Sequence, residues 1–277
     1  MSQYRHIYLS PHLDDVALSC GGRIHQLTQV GQPVLVLTIF AGSPRLDGGE
    51  EGGVSSDYIA SLHQRWETVD DAPAQRRAED EAAMRILGAD FCHLSYPDCV
   101  YRQNPVTGDL LYLSDEDIFA QVHLAEFTLA AELRDELEKL IGKPREAILY
   151  APLAAGHHVD HQITAAAALS LRAAGHRVVF YEDYPYAETP ATLLSATQWL
   201  GGENWRLERF SLRPEDLAAK AEAVLRYRSQ LSTFFDGAAD VAQRLHAYAT
   251  STWQAPQDES ASFDVGPCER VWHLTRK

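Results

Sequence analysis

The 277-residue sequence lacks any apolar run near the roughly 20 residues that a membrane-spanning helix needs. Residues Met1 to His6 also contain no apolar signal region. The four cysteines form no Cys-x-x-Cys pair, a usage that suits reduced thiols. These absences predict a cytoplasmic protein without a membrane span.

Basic residues are scarce, with 24 lysines and arginines against 39 aspartates and glutamates and a net charge of -15. A chain this acidic is a poor partner for phosphate backbones and anionic lipid. We therefore expect a small-molecule partner and no nucleic acid. The sequence does not indicate an oligomeric state, and a homo-oligomer is compatible with it.

Two motifs of other enzyme classes are also missing. A nucleotide-binding oxidoreductase or methyltransferase on an α/β fold needs a glycine-rich turn after its first strand. Here the glycines, in Cys20-Gly21-Gly22, come too late and lack the Gly-x-Gly-x-x-Gly spacing. No serine lies in a Gly-x-Ser-x-Gly elbow. The sequence therefore disfavours dinucleotide chemistry and a serine nucleophile.

Apolar, strand-like runs alternate with helical patterns over the first 180 residues. The predicted strands lie at residues 5–10, 33–40, 91–94, 146–150 and 177–181. The predicted helices lie at residues 15–30, 74–87, 114–140 and 158–174, the third running continuously or with one break. This alternation predicts a doubly wound, mostly parallel, Rossmann-like α/β sheet.

The last third of the chain has a different pattern. It predicts helices near residues 190–200, 214–232 and 238–250 and strands at 205–210 and 270–274. We therefore predict a single domain over residues 1–277. Residues 1–182 would form its catalytic α/β core, and residues 183–277 a helical C-terminal cap portion packed on that core.

Residues 41–71 form a polar, glycine-rich stretch that predicts one long loop. Its aromatic and cationic side chains include Tyr58, His63 and Trp66. These side chains would be able to close over a site, and a flap with no role in the site fits the sequence equally.

Three side chains with metal-binding or acid–base chemistry follow the first predicted strand, namely His12, Asp14 and Asp15. In doubly wound sheets, ligands bind outside the carboxyl ends of the strands. His12 and Asp15 are three residues apart and would share a helix face, which leaves Asp14 free to handle a proton. Helix capping by the two aspartates is the alternative, and it fits this stretch alone equally well.

A second polar cluster, with His158, Asp160 and His161, follows the fourth predicted strand. The first and fourth strands of such a sheet are commonly neighbours where the winding reverses, so the two clusters would face each other across one crevice. Two histidines and one carboxylate with an open position form a catalytic zinc set. The spacing of His158 and His161 leaves open which one binds the ion and which one contacts substrate.

These motifs carry a resemblance to a known family. Pro-His-Leu-Asp-Asp at residues 11–15 and His-Val-Asp-His at residues 158–161 resemble the LmbE-like (PIG-L) zinc-dependent N-acetylglucosaminyl deacetylases. Further similar stretches, in family order, are Arg76-Arg77-Ala78-Glu79, Tyr96-Pro97-Asp98 and the helix from Lys220 to Gln230. The resemblance spans residues 6–230. It implies the LmbE-like fold and a substrate that carries an N-acetylated amino sugar.

The resemblance implies a role for each matching residue. His12, Asp15 and His161 would hold one zinc ion per chain, or another divalent ion. Asp14 would be the general base, and His158 would stabilise the oxyanion or protonate the leaving amine.

Arg76 and Asp98 would hold sugar hydroxyls, for which a guanidinium fork and a carboxylate are suited. A salt bridge between the same two residues, which would shape the loop, is as consistent with the sequence.

The sequence departs from the family pattern at four positions. Three of them are Leu13 for a proline, Val16 for a glutamate and Val159 for a proline. The fourth is Gly156, where some members carry a tyrosine that assists the oxyanion. Tyr184 or Tyr186 is a candidate for that role, and a core or rim aromatic is the alternative for either.

Other functional classes compete with the deacetylase. A metal-dependent phosphoesterase uses a similar residue set, but usually with two metals and more ligands. A non-catalytic metal- or sugar-binding module, or a metal hydrolase for a different amide or ester, also fits the ligand set. The presence of Asp14, which the ion does not need, favours an enzyme. We therefore predict a metal-dependent hydrolase that removes an N-acetyl or other N-acyl group by means of zinc-activated water.

Overall fold

One seven-stranded sheet organises the molecule. The computed structural model describes residues 3–43, 56–66, 72–143, 147–201, 204–251 and 266–275. The strands are β1 (His6–Ser10), β2 (Val34–Thr38), β3 (Asp90–His93), β4 (Ile148–Pro152), β5 (Arg177–Tyr181), β6 (Trp205–Ser211) and β7 (Cys268–Leu274). They lie in the order β3-β2-β1-β4-β5-β7-β6. The five strands from β3 to β5 are parallel, which confirms the predicted mostly parallel α/β sheet.

Helices flank the sheet. They are α1 (Asp15–Gln29), α2 (Asp57–Arg65), α3 (Ala72–Leu87), α4 (Asp115–Ile118), α5 (Leu129–Ile141), α6 (Val159–Ala173), α7 (Pro190–Trp199), α8 (Pro214–Val224), α9 (Arg228–Phe234) and α10 (Ala238–Thr250). No helix in the described part of the chain is long and apolar enough to cross a membrane.

Successive residues of each central strand pack into different apolar clusters. On β1, Ile7 and Leu9 pack with residues of α5 and α6, whereas Tyr8 packs with residues of α1 and α3. Side chains alternate between the two faces of a strand, so helices cover the sheet on both sides. For the same reason, every residue of β2 is buried.

The C-terminal part of the chain extends the sheet. β7 pairs antiparallel with β5, and β6 pairs antiparallel with β7. Helix α8 packs against α1 and α3. The division into a catalytic core at residues 1–182 and a cap portion at residues 183–277 stays a prediction.

Residues 41–71 are not one long loop, because helix α2 lies within them. Ser56 caps this helix by accepting a hydrogen bond from the backbone N–H of Ile59 at 3.1 Å. Ile59, Leu62 and Trp66 are buried and recur at helical spacing, a pattern that the glycine-rich composition upstream concealed. The loop prediction was wrong for residues 57–65. Its other parts, residues 44–55 and 67–71, lie outside the described residues.

Two predicted helices, over residues 114–140 and 214–232, are each divided in the structure. The first divides where the chain turns Glu126 inward to accept a hydrogen bond from Arg102 at 3.1 Å. The second divides at Tyr227, whose hydroxyl donates to Asp80 of α3 at 2.7 Å. Tertiary hydrogen bonds therefore override helical periodicity at both places.

Gly42 provides a test of the packing between the segments that follow β2 and β3. A Cβ at this position would lie 2.2 Å from the backbone carbonyl oxygen of Ser95. We predict that Gly42→Ala lowers the free energy of unfolding by about 1–3 kcal/mol, because one backbone must move away from the other. Gly266→Ala is the control, since no atom of the described residues lies within 4 Å of a Cβ there. Urea unfolding curves with the same midpoint for both variants would contradict this prediction.

Candidate active site

The turn between β1 and α1 holds three of the predicted site residues in a fixed arrangement. The hydroxyl of Ser10 donates to the carbonyl oxygen of His12 at 2.7 Å. The backbone N–H of His12 donates to Oδ2 of Asp15, also at 2.7 Å. Asp14 occupies the N-cap position of α1 without a side-chain capping bond. Asp14 therefore does not cap α1 through its side chain, whereas Asp15 lies in the first turn of this helix.

The turn between β4 and α6 supplies the other cluster. His158 caps α6, and its Nδ1 accepts a hydrogen bond from the backbone N–H of Asp160 at 3.2 Å. His161 lies in the first turn of the same helix. Because β4 pairs with β1, His161 Nε2 comes within 3.2 Å of Asp15 Oδ2. His12 Nδ1 lies 3.3 Å from the same oxygen.

Hydrogen-bond partners assign the imidazole tautomers. His161 Nδ1 lies 2.6 Å from Asp183 Oδ1, and His12 Nε2 lies 2.9 Å from Asp160 Oδ2. A carboxylate can only accept, so these nitrogens carry protons. Whenever either ring is neutral, the lone pair of its other nitrogen therefore faces Asp15. His158 has the same tautomer as His12, because its Nδ1 accepts from a backbone N–H. Its Nε2 therefore carries a hydrogen.

Crowding of buried charges shifts the pKa values of His161 and His158 in opposite directions. Burial opposes protonation of His161, but Asp15 and Asp183 outweigh it and raise the pKa of His161 to about 9. Burial and the neighbouring His12 lower the pKa of His158 to about 3, so this ring is neutral. Two lone pairs facing one carboxylate oxygen repel each other unless a proton or a cation lies between them. This part of the site is therefore built for positive charge.

Asp14 lies beside these groups in a strained conformation, with a φ of 144°. Burial, reinforced by the charge of Asp15, raises the pKa of its carboxyl to about 8. Asp14 lines the cavity described below, so its carboxyl is placed to accept or release a proton there.

Arg76 and Asp98 lie on the β3 side of the site and contact each other. Arg76 Nη1 is 3.4 Å from Asp98 Oδ2, and the guanidinium lies over the ring of Trp66 at 4.9 Å. Asp98 Oδ2 is also 4.0 Å from His12 Nε2. The salt bridge considered in the sequence is present, and both side chains still line the cavity.

A cavity of about 220 Å³ lies over these side chains. Its polar wall includes His12, Asp14, Asp15, Arg76, Asp98 and His158, and its aromatic wall includes Trp66, Phe119, Tyr186 and Phe234. Sites for drug-sized ligands measure roughly 300–1,000 Å³, so this cavity is smaller than such sites.

The structure distinguishes the two candidate tyrosines. Tyr186 lines the cavity, and a Cβ on Gly156 would lie 2.6 Å from its Cγ atom. The Tyr186 ring therefore occupies the space that a side chain at position 156 would need. Tyr184 packs instead in a separate apolar cluster with Phe235 and Leu245.

Sequence reasoning gave Asp160 no role within the second cluster and missed Asp183, although both carboxylates orient imidazoles. Asp160 and Asp183 hold His12 and His161, respectively. Asp183 follows the end of β5 just as His12 follows β1, so the same signal, a polar residue after a buried strand, was available for it. Arg102 and Glu126, which lie behind Asp160, are in an irregular segment that offered no such signal.

The comparisons identify the family. The family model PIG-L, GlcNAc-PI de-N-acetylase, matches residues 7–172, and the chain belongs to this family. The 2'-N-acetylparomamine deacetylase of Niallia circulans is 30% identical over 241 residues, covering 83% of this chain and 82% of that protein. The prediction of a hydrolytic N-deacetylase is confirmed.

Solved structures show the same relationship over nearly the whole chain. The zinc-inhibited form of teicoplanin deacetylase Orf2 has a TM-score of 0.74 and 27% identity, covering 97% of each chain. The A40926 pseudoaglycone deacetylase Dbv21 has a TM-score of 0.70 and 27% identity, covering 99% of this chain and 100% of that one. The LmbE-like fold is therefore confirmed.

Asp14 gives the ion-free protein a specific pH dependence. Its folded-state pKa of about 8 lies above the ordinary 3.8, so its contribution to stability falls as the pH rises through that interval. We predict that Asp14→Asn, which cannot ionise, gains at least about 1 kcal/mol relative to the unmodified protein between pH 4 and pH 8.5. Chemical unfolding of chelator-treated protein at several pH values measures this difference. Parallel pH profiles for the two proteins would show that burial does not raise this pKa.

Proposed function

We propose that this N-deacetylase removes the acetyl group from an N-acetylated amino sugar within a larger glycoconjugate. We further propose that it uses one zinc ion, or another divalent ion, held by His12, Asp15 and His161. The observation that carries the proposal is the approach of both lone-pair nitrogens to one carboxylate oxygen, at 3.3 and 3.2 Å.

The donor set fits such an ion. Two neutral imidazoles and a carboxylate with an open position form the usual ligand set of catalytic zinc. Each imidazole donates its other N–H to a carboxylate, Asp160 or Asp183, as ligating histidines generally do. A divalent ion there would supply Lewis acidity, which polarises an acyl carbonyl and lowers the pKa of water.

Asp14 is the proposed general base. Its carboxyl lines the cavity but contributes no atom to the imidazole–carboxylate cluster. A nearby divalent cation would favour its ionised form and so lower its pKa from the value of about 8 in the ion-free protein. Asp14 would take the proton of the attacking water and return it to the leaving amine.

His158 is the proposed donor to the oxyanion. Its ring is neutral and carries its hydrogen on Nε2, and it lines the cavity beside His12. A fixed N–H at this position would stabilise the negative charge that develops on the acyl oxygen. A hydrogen on Nε2 makes that nitrogen a poor ion ligand, which supports His161 over His158 as the proposed third ligand.

The substrate class rests on the walls of the cavity and on the relatives. Arg76 and Asp98 would hold sugar hydroxyls beside the ion ligands, and the aromatic wall would face the apolar side of a sugar ring. The relatives are named for 2'-N-acetylparomamine, for teicoplanin and for the A40926 pseudoaglycone, which supports an amino-sugar substrate. The expectations of a cytoplasmic location, no nucleic-acid partner and a compatible homo-oligomer stay predictions.

The first prediction from this proposal concerns the ion. Purified protein should contain about one divalent ion per chain, and His12→Ala, Asp15→Ala and His161→Ala should each retain little of it. Elemental analysis after zinc reconstitution measures the content. Failure of the unmodified protein to bind zinc at all would refute the ion site.

A second prediction separates the adjacent aspartates. Asp14→Asn should keep its ion and lose at least about 100-fold in turnover, because only the base is removed. Asp15→Asn should lose the ion itself. Reversed phenotypes for the two variants would exchange their assigned roles.

The substrate class is tested with a panel of N-acetylated amino sugars and glycosides, using detection of the released amine. We expect the zinc-loaded protein to release acetate from at least one member of this panel. Arg76→Ala should keep its ion and have a lower turnover efficiency. If no member of the panel releases acetate while zinc is present, the amino-sugar assignment is wrong and another amide becomes the substrate.

A further inference from the structure

We propose that Arg102 is a positioning residue for the ion site, because it fixes the carboxylate of Asp160 that orients the His12 ring. The inference rests on the proposed function, in which His12 holds a divalent ion. Arg102 is not among the described residues that line the cavity. It would therefore act through Asp160 alone and would touch neither ion nor substrate.

The guanidinium of Arg102 is held on all sides. Its Nε and Nη2 both donate to the carboxylate of Glu126, with Nη2 at 3.1 Å from Oε2. The hydroxyl of Tyr112 donates to that carboxylate at 2.6 Å. The planar cation also lies over the rings of Phe40, at 4.9 Å, and Tyr112, at 5.6 Å. An arginine held by a bidentate carboxylate and two ring faces has little freedom to move.

Arg102 uses its remaining nitrogen on Asp160. Nη1 donates to Oδ1 of Asp160, whose side chain is completely buried. The other oxygen, Oδ2, accepts from the backbone N–H of Cys99 at 3.1 Å and from His12 Nε2 at 2.9 Å. With Oδ1 fixed by Arg102, the direction of Oδ2 is fixed as well. The ring of His12 is thereby oriented so that Nδ1 faces Asp15.

The chain of contacts links the ion site to a distant part of the sequence. Tyr112, Glu126 and Arg102 all lie in the irregular segment between β3 and α5. Outer carboxylates that orient ligating histidines typically contribute 10–100-fold to metal affinity. Arg102 in turn orients the carboxylate that orients His12. Asp160 is completely buried, so contact with solvent does not hold its orientation.

A purely electrostatic role for Arg102 predicts the opposite effect. A buried cation near the ion repels it, so removing Arg102 would strengthen ion binding if charge alone mattered. Loss of the fixed orientation of the His12 ring would instead weaken ion binding. The sign of the change in affinity therefore decides between the two roles.

The test uses the ion-free full-length protein and its zinc affinity, measured by competition with a chelator. We expect Arg102→Met to bind zinc about 10–100-fold more weakly than the unmodified protein. Arg102→Lys keeps the positive charge without the guanidinium fork, and we expect it to bind more weakly as well. The absorption spectrum of the cobalt-substituted protein should change in both variants, because it reports the arrangement of the ligands.

Lys220→Met is the matched control for loss of a buried cation. Lys220 donates to Glu269 at 2.7 Å, and this pair contacts none of the candidate site residues. The control should lose thermal stability and keep the zinc affinity and the cobalt spectrum. If Arg102→Met fails to fold, Arg102→Lys decides the question, because it retains a buried cation.

Zinc affinity in the Arg102 variants that equals or exceeds that of the unmodified protein overturns the proposal. An unmodified protein that binds no divalent ion refutes the proposed function instead. The two failures are therefore distinguishable in the same titration.

Discussion

The parallel pairing of β1 with β4 is the constraint on which the site depends. Ile7 pairs with Leu149 and Tyr8 with Tyr150, whose rings stack with centroids 4.2 Å apart. Parallel strands end at the same edge of a sheet, so the turns after them meet although about 145 residues separate them in sequence. A slip of one residue in this register would turn the apolar sets of β1 to the wrong faces and separate the two halves of the site.

Excess negative charge is the second constraint. The buried carboxylates around the cavity belong to Asp14, Asp15, Asp98, Asp160 and Asp183, and the buried guanidiniums to Arg76 and Arg102. Uncompensated buried charge is costly, so the site must gain positive charge from protons or from a cation. The raised pKa of His161 means that this ring can supply positive charge by binding a proton. An ion and these protons would therefore compete, and ion affinity should fall as the pH falls.

Features of the fold that local sequence patterns encode could be predicted. The apolar run before His12 and the alternation of strands and helices were enough to predict the sheet and the crevice at its edge. Contacts made by single side chains across the fold carry no such pattern. Nothing near Arg102 indicates that its guanidinium reaches Asp160, and nothing near Tyr227 indicates that its hydroxyl divides a helix by bonding to Asp80. Helix α2 was missed for a different reason, because glycine-rich neighbours concealed its short apolar period.

Packing accommodates two of the four departures from the family pattern, Val16 and Val159. Val16 is buried in the apolar cluster between α1 and the sheet, and Val159 packs with Cys99 and Val100 in another cluster. The outer nitrogens of the proposed ion ligands His12 and His161 are held by Asp160 and Asp183, so these contacts involve neither valine. A valine at position 16 therefore leaves both orienting hydrogen bonds intact.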